Sequence, residues 1–333
     1  MRYHLRNRPR VKIRKPTVTK GILRISEVEQ YRDVTRGVWE TWHEQLSPGQ
    51  FGAEVTFLQT PSALLYEESF EAASRITGSL RKGLIAIASP SDRAAQGRWW
   101  GRDYPERSLV FGRGGDGLDL AFPTGYRNVV FVMDERAFRE MFLTLSGRDA
   151  DFLDRGCNFI AGPEDIRARL QDSLGRILAL PESELSDLAG SNRLELALVG
   201  AFVESELRHD QVRMLASKRR ELVAEATRHF VESNYQAPVS HLCSHVGVSK
   251  RSLEYAFREN LGAPPSEYFK RHRLNQCRQI LSTGDPAKTS VKAVALSFGF
   301  QQSGRFAQEY RNFFGETPSE TLRRLPESLP RGF

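Results

Sequence analysis

Gly262-Ala263-Pro264-Pro265-Ser266-Glu267 and Gly315-Glu316-Thr317-Pro318-Ser319-Glu320 are one phrase, G-x-x-P-S-E, written twice in the same chain. The apolar scaffold ahead of each phrase repeats as well. Leu242, Val246, Gly247, Val248, Leu253 and Phe257 precede the first copy. Val294, Phe298, Gly299, Phe300, Phe306 and Tyr310 precede the second, with one extra residue after the glycine. A repeat of about 53 residues means one supersecondary unit used twice.

Each unit reads as helix, glycine turn, helix. Residues 239–246 carry apolar side chains at helical spacing and stop at Gly247, which accepts positive φ at little cost. Ser249 offers an N-cap hydroxyl to a second helix over 250–261, which ends at Gly262. Cys243 and its counterpart Ala295 are small where the two helices approach each other. In DNA-binding proteins the second helix of such a pair enters the major groove. One copy alone is equally an ordinary helical hairpin; two copies in register on a basic background favour DNA.

At these residues the chain resembles the AraC/XylS family of bacterial transcription regulators, over roughly residues 221–325. Ala295, Gly299, Phe300, Ser303, Phe306, Phe314, Gly315, Thr317, Pro318 and Ser319 carry the resemblance most specifically. Leu242, Gly247, Ser249, Leu253, Phe257, Gly262, Pro265, Tyr268, Arg273 and Leu274 support it from the first unit. Cys277 stands where the family usually has alanine, and Gly304-Arg305 precedes Phe306 where an aromatic-containing pair is commoner. The resemblance implies a cytoplasmic, nucleoid-associated regulator that binds double-stranded promoter DNA. It further implies an activator that meets RNA polymerase, answers a small-molecule effector and forms a homodimer.

Charge is distributed to match. Residues 216–325 hold 17 Lys and Arg against 10 Asp and Glu, whereas residues 21–215 hold 22 against 30. A basic C-terminal third beside an acidic middle is the footprint of a nucleic-acid reader joined to something else. Residues 1–20 carry 8 basic and no acidic side chains, which predicts a solvated, flexible arm. No apolar run is long enough for a membrane span, and Cys157, Cys243 and Cys277 form no zinc pattern.

Between arm and reader, residues 51–66 suggest two strands around Thr60-Pro61, and residues 83–88, 98–113, 118–122 and 129–133 continue the series. The turn at Gly112-Arg113-Gly114-Gly115-Asp116-Gly117 reads as a hairpin, since it lacks the ending of a phosphate loop. Asp134 opens a helix, Pro163-Glu164-Asp165 a second running to about Leu180, and residues 193–215 form a third. The predicted fold is therefore α+β and multidomain. A small β-barrel or cupin-like sensor over 21–145 leads to a helical linker and dimerisation segment over 146–215. An all-α domain over 216–325 follows, with helix-turn-helix units at 239–261 and 291–314, and residues 326–333 form a tail. Short strands with glycine and proline punctuation suggest the barrel; the cupin likeness comes from the family resemblance.

Residues 264–281 should form one rod between the two units, with Tyr268, Phe269, Leu274 and Ile280 inward. The DNA-facing candidates are Ser249, Lys250, Arg251, Ser252, Glu254, Tyr255 and Arg258 on the first reading helix. On the second they are Gln301, Gln302, Ser303, Gly304, Arg305, Gln308, Glu309 and Arg311. Arg251 or Arg305 suits a guanine edge and Gln302 or Gln308 an adenine edge. Glu254 and Glu309 suit orienting a neighbouring arginine. Lys292, Arg271 and Arg273 suit phosphate or ion-pair duty. His241 and His245 share a helix face but lack the further ligands of a metal site, and no catalytic constellation stands out. Phe57, Tyr66, Arg75, Trp99 and Trp100 are the candidate effector-lining residues, in a pocket expected to be metal-free. The alternatives are an effector-free DNA-binding regulator, or a DNA-associated enzyme using the N-terminal domain.

Overall fold

The computed structural model describes residues 19–90, 97–99, 101–103, 108–155, 158–161, 193–206, 211–213 and 218–324, with isolated positions between 172 and 184. Residues 1–18 of the expected arm, the tail, Cys157, Trp100 and almost all of the helix expected after Pro163 lie outside the described residues, while Thr19 and Lys20 begin a strand.

The N-terminal domain begins with β1 (Thr19–Ile25), α1 (Val28–Thr35) and β2 (Trp39–Gln45). Next come β3 (Ala53–Gln59), β4 (Ala63–Phe70), β5 (Ser74–Leu80), β6 (Leu84–Pro90) and the short β7 (Arg98–Trp99) and β8 (Arg102–Asp103). β9 (Ser108–Arg113), β10 (Gly117–Phe122), β11 (Arg127–Asp134), α2 (Glu135–Ser146) and β12 (Asn158–Ala161) continue it. α3 (Arg193–Glu206) and β13 (Gln211–Arg213) end it. All pairings are antiparallel, in an eight-stranded sheet ordered β1-β3-β4-β11-β6-β9-β12-β13 and a five-stranded sheet ordered β2-β5-β10-β7-β8.

Strand alternation makes the large sheet two-faced. Val55, Tyr66, Ala88 and Val130 point toward the small sheet and α1, into one core. Leu58, Leu65, Ile87 and Phe131 point the other way and pack with Phe138 and Phe142 of α2 and Val199 and Phe202 of α3. A sheet covered on both faces needs apolar residues at successive positions, which is why 83–88 reads as an unbroken apolar run.

Three expectations are corrected here. Among the described residues the strands form two facing sheets with separate edges, not a closed barrel. The glycine-rich turn is not a hairpin: β9 belongs to the large sheet and β10 to the small one, so the chain changes layers there. Gly114 permits the crossing, because a Cβ at that position would lie 2.2 Å from the Arg81 carbonyl oxygen. The third helix is described over Arg193–Glu206, and Val212, expected within it, instead pairs with Phe159 between β13 and β12. On α3, Leu198, Val199, Phe202 and Val203 are buried against the chain's own sheet, while Leu196 is exposed.

The C-terminal domain comprises α4 (Lys218–Glu232), α5 (Val239–Val246), α6 (Lys250–Leu261), α7 (Pro265–Thr283), α8 (Val291–Ser297), α9 (Ser303–Phe314) and α10 (Pro318–Arg323). The repeat is visible in the caps: Gly262 and Gly315 end α6 and α9 at φ 72° and 79°. Ser249 accepts the Ser252 amide at 3.1 Å, and Thr317 with Glu320 forms a capping box on α10. Leu253 and Phe257 anchor one core, Phe306 and Tyr310 the other. On α7, Tyr268, Phe269 and Leu274 are inward as expected, but Ile280 is 40% exposed and Cys277, Arg278 and Leu281 fill the inner face.

α7 also docks on β2, the edge strand of the small sheet. Asn275 accepts the Gln45 amide at 3.1 Å and donates to the Gln45 carbonyl at 3.0 Å, completing the edge like a short partner strand. Tyr268 donates to Glu44 at 2.9 Å, Arg75 donates to the Tyr268 hydroxyl at 3.0 Å, and His272 bonds the other Glu44 oxygen. Burial alone would raise Glu44, but His272, Arg75 and the Tyr268 hydroxyl bring it down to about 2. A carboxyl lowered in the folded state contributes stability above its ordinary value, near 4.5, and loses it as pH falls toward 2. Glu44→Gln is therefore expected to flatten the acid limb of the stability curve between about pH 4.5 and 2. Urea titrations at stepped pH measure this, and parallel wild-type and variant curves would refute it.

Candidate nucleic-acid interface

α5 and α6 form one helix pair, α8 and α9 the other. In each, the second helix buries one face and presents a polar one. On α6, Leu253, Ala256 and Phe257 are buried, while Ser249, Lys250, Arg251, Ser252, Tyr255 and Arg258 are exposed and Glu254 is half-buried. On α9, Phe306, Tyr310 and Phe313 are buried, while Gln301, Gln302, Ser303, Gly304, Arg305, Gln308 and Arg311 are exposed. Lys292, on α8, is exposed as well. The 19 residues of α7 between the pairs span about 28 Å at 1.5 Å each.

Some of these side chains already have neighbours. Arg305 pairs with Glu309 at 3.0 Å, one turn apart, which points the guanidinium along the outer face of α9. Lys250 lies 3.9 Å from Glu254, so that carboxylate orients a lysine, not an arginine. Tyr255 carries the Arg219 guanidinium 4.5 Å above its ring, and Arg219 also bonds Glu259 at 2.8 Å. Arg271 is engaged by Glu267 and the Leu46 carbonyl, which removes it from phosphate duty. Among the described residues Arg273 forms no ion pair; it lies 4.8 Å from the Phe300 ring centre. Lys270, Arg273, Gly299, Gln302 and Arg305 border a shallow depression of about 310 Å3 between α7 and α9. Lys270 and Arg273 bring positive charge to this opening, while Arg305 meets it paired with Glu309, which lines it as well.

His245 stacks on His229 with ring centres 3.7 Å apart and bonds Glu225 at 3.1 Å. His241 meets His229 edge-on, with ring centres 5.3 Å apart. Among the described residues no group of histidine, cysteine or acidic side chains is arranged to hold a metal ion.

Of the effector candidates, the structure brings Tyr66 and Trp99 together. Both line a cavity of about 40 Å3 between the two sheets, with Tyr31, Trp39, His43 and Glu68. Phe57 is a core residue. Arg75 lies outside the cavity, gripping Asp119 with two bonds of 2.9 and 3.0 Å and reaching Tyr268. Glu68 was not legible as a site residue. The docking residues Tyr268, His272 and Asn275 did leave a signal: polar side chains at i, i+4 and i+7 along a rod otherwise expected to be apolar inside.

Residues 242–324 match a family of helix-turn-helix domains. The chain is 33% identical over 162 residues to the "Probable thc operon regulatory protein" of Rhodococcus erythropolis, covering 47% of this chain and 48% of that protein. It is 38% identical over 110 residues to XylDLEGF operon transcriptional activator 3 of Pseudomonas putida, covering 30% and 33%. The chain thus spans about half the length of the first relative and a third of the second. Among solved structures, an AraC-type transcriptional regulator from Chromobacterium violaceum is 32% identical, covering 31% of this chain and 90% of that one, at a TM-score of 0.29. The AraC-like transcriptional activator CuxR covers 77% of this chain and 94% of its own at 12% identity and a TM-score of 0.39. No helix among the described residues is long and apolar enough to cross a membrane.

Proposed function

We propose that this chain, whose C-terminal module is of the AraC/XylS helix-turn-helix type, is a sequence-specific transcription regulator that sets α6 and α9 into successive major grooves of one DNA site. The observation that carries this reading is the pair of polar-faced helices joined by one unbroken rod. About 28 Å of helix plus the width of the units approaches the roughly 34 Å between successive major grooves on one side of B-form DNA. Arg251, Arg258, Arg305, Gln302 and Gln308 supply the base-reading chemistry, with Ser249, Lys250, Ser252, Ser303, Arg311 and Lys292 placed for the backbone. The sheet-rich domain, in a jelly-roll-like arrangement, senses an effector, and the protein acts as a homodimeric activator through RNA polymerase.

Footprinting and competition binding on the selected site test this. Arg305→Ala is expected to weaken the specific site by about 1–3 kcal/mol while leaving random DNA nearly unchanged. Equal losses on both DNAs would remove Arg305 from base reading. Lys292→Ala is expected to lower the slope of log affinity against log salt by about one; an unchanged slope would take Lys292 off the phosphate backbone. Full-length protein that prefers no duplex over random competitor would overturn the function itself.

A further inference from the structure

The cavity between the sheets has a one-sided chemistry. Tyr31, Trp39, Tyr66 and Trp99 bring four aromatic side chains to its wall from α1, β2, β4 and β7. The one carboxyl among the described lining residues is Glu68, buried at 4% exposure, with hydrogen bonds from Tyr31 and, at 3.2 Å, from Asn128. Among the described residues no lysine or arginine forms an ion pair with it. Burial pushes the Glu68 carboxyl up to about 7, and the two hydrogen bonds offset this only in part. Nor does the neighbouring imidazole supply the missing charge: burial, with Arg32 adding to it, drives His43 down to about 3. Three further atoms of lining side chains, His43 Nδ1, Asn128 Oδ1 and Trp99 Nε1, are buried without any hydrogen-bond partner.

Each of these facts selects against a class of occupant. An anion would face a carboxyl and the negative faces of aromatic rings. A purely apolar molecule would leave three buried polar atoms unsatisfied, each at a desolvation cost. A cation meets what the wall lacks: it pairs with Glu68 and is drawn to the ring faces. The volume of about 40 Å3 exceeds the roughly 10–15 Å3 that one water requires, so the space holds more than a single water.

We propose that this cavity binds a small organic ammonium ion, its cationic head among the aromatic rings beside Glu68 and a tail oxygen accepting the Trp99 indole N–H. The proposal rests on reading the N-terminal domain as the ligand-sensing part of the regulator. The fold also gives the ligand a route to the DNA reader. His43 lines the cavity, and the next residue on β2, Glu44, holds Tyr268 and His272 of α7. Successive side chains on a strand point to opposite faces, so β2 is one wall shared by cavity and docking surface.

The test uses the full chain with choline as the cationic probe and its uncharged isostere 3,3-dimethylbutan-1-ol, followed by calorimetry and by tryptophan fluorescence. Choline is expected to bind saturably and to raise the melting temperature, with the neutral isostere weaker by at least about tenfold. Glu68→Gln, which keeps shape and hydrogen bonding, is expected to bring choline down to the level of the isostere. Equal binding of the two probes by wild type, undiminished choline binding by Glu68→Gln, or no binding of either probe would each overturn the proposal. The probe comparison in wild type stands even if the variant folds poorly. DNA competition binding, run on the same preparations without probe, reports separately on the regulator reading.

Discussion

Arg278→Met leaves the protein about 3–5 kcal/mol less stable, the expected cost of removing one partner from a buried ionic cluster. Arg278 is 4% exposed and its guanidinium reaches Glu27 of the N-terminal domain and, at 2.7 Å, Glu316 of the second unit. It lies 4.8 Å from the Phe314 ring centre as well. Methionine fills much of the volume but leaves two buried carboxylates with one cation, the half-exposed Arg324, which touches both, and with the Thr321 hydroxyl on Glu316. The unpaired charge, not the lost attraction, dominates the effect. The exposed Arg305–Glu309 pair provides the contrast: its loss should change stability by less than about 1 kcal/mol. Urea unfolding of both variants measures the difference. Similar small losses would mean that solvent reaches Arg278, and that the cluster is an ordinary surface network.

Phe306→Ala has an effect of the same size by a different route, about 3–5 kcal/mol through cavity formation. Phe306 is 1% exposed and packs against Phe300 and Tyr310, with ring centres 4.9 and 5.6 Å away. The first unit has its own core around Leu253 and Phe257. The damage should therefore be local. Footprints of Phe306→Ala are expected to keep protection over one half of the site and lose it over the other. Equal loss over both halves would show that the two units fold as one and read DNA as one.

The sequence carried the C-terminal domain almost whole because its signals are local. Glycines at 262 and 315, the Ser249 cap and the apolar spacing of 253 and 257 each act within a turn of helix, so they survive being read without the rest of the chain. The strands of the N-terminal domain were legible for the same reason, but their partners were not. Asp116-Gly117 looks like a hairpin whichever sheet receives the next strand; layer membership is decided by what the far side of each strand buries. The short strand holding Val212 lacked the length to distinguish it from the end of α3. Tyr66 and Trp99 stood out as large aromatic residues in strands, whereas Glu68 looked like one more outward polar position. Ile280 followed the apolar rule that α7 breaks, because its inner face has to meet a second domain and carries Arg278 there instead.

The Asn275 side chain is the detail with the widest reach. It gives β2 the amide and carbonyl contacts that a neighbouring strand would supply. Were α7 to swing outward by a few ångströms, those backbone groups would lose their partner, and Glu44 would lose Tyr268 and His272 in the same movement, keeping Arg75 of its own sheet beside it. Intermediate poses are thus disfavoured, and the joint between the two domains should give way abruptly instead of drifting. Without Asn275 against it, β2 would present a bare β margin to solvent, open to another extended segment.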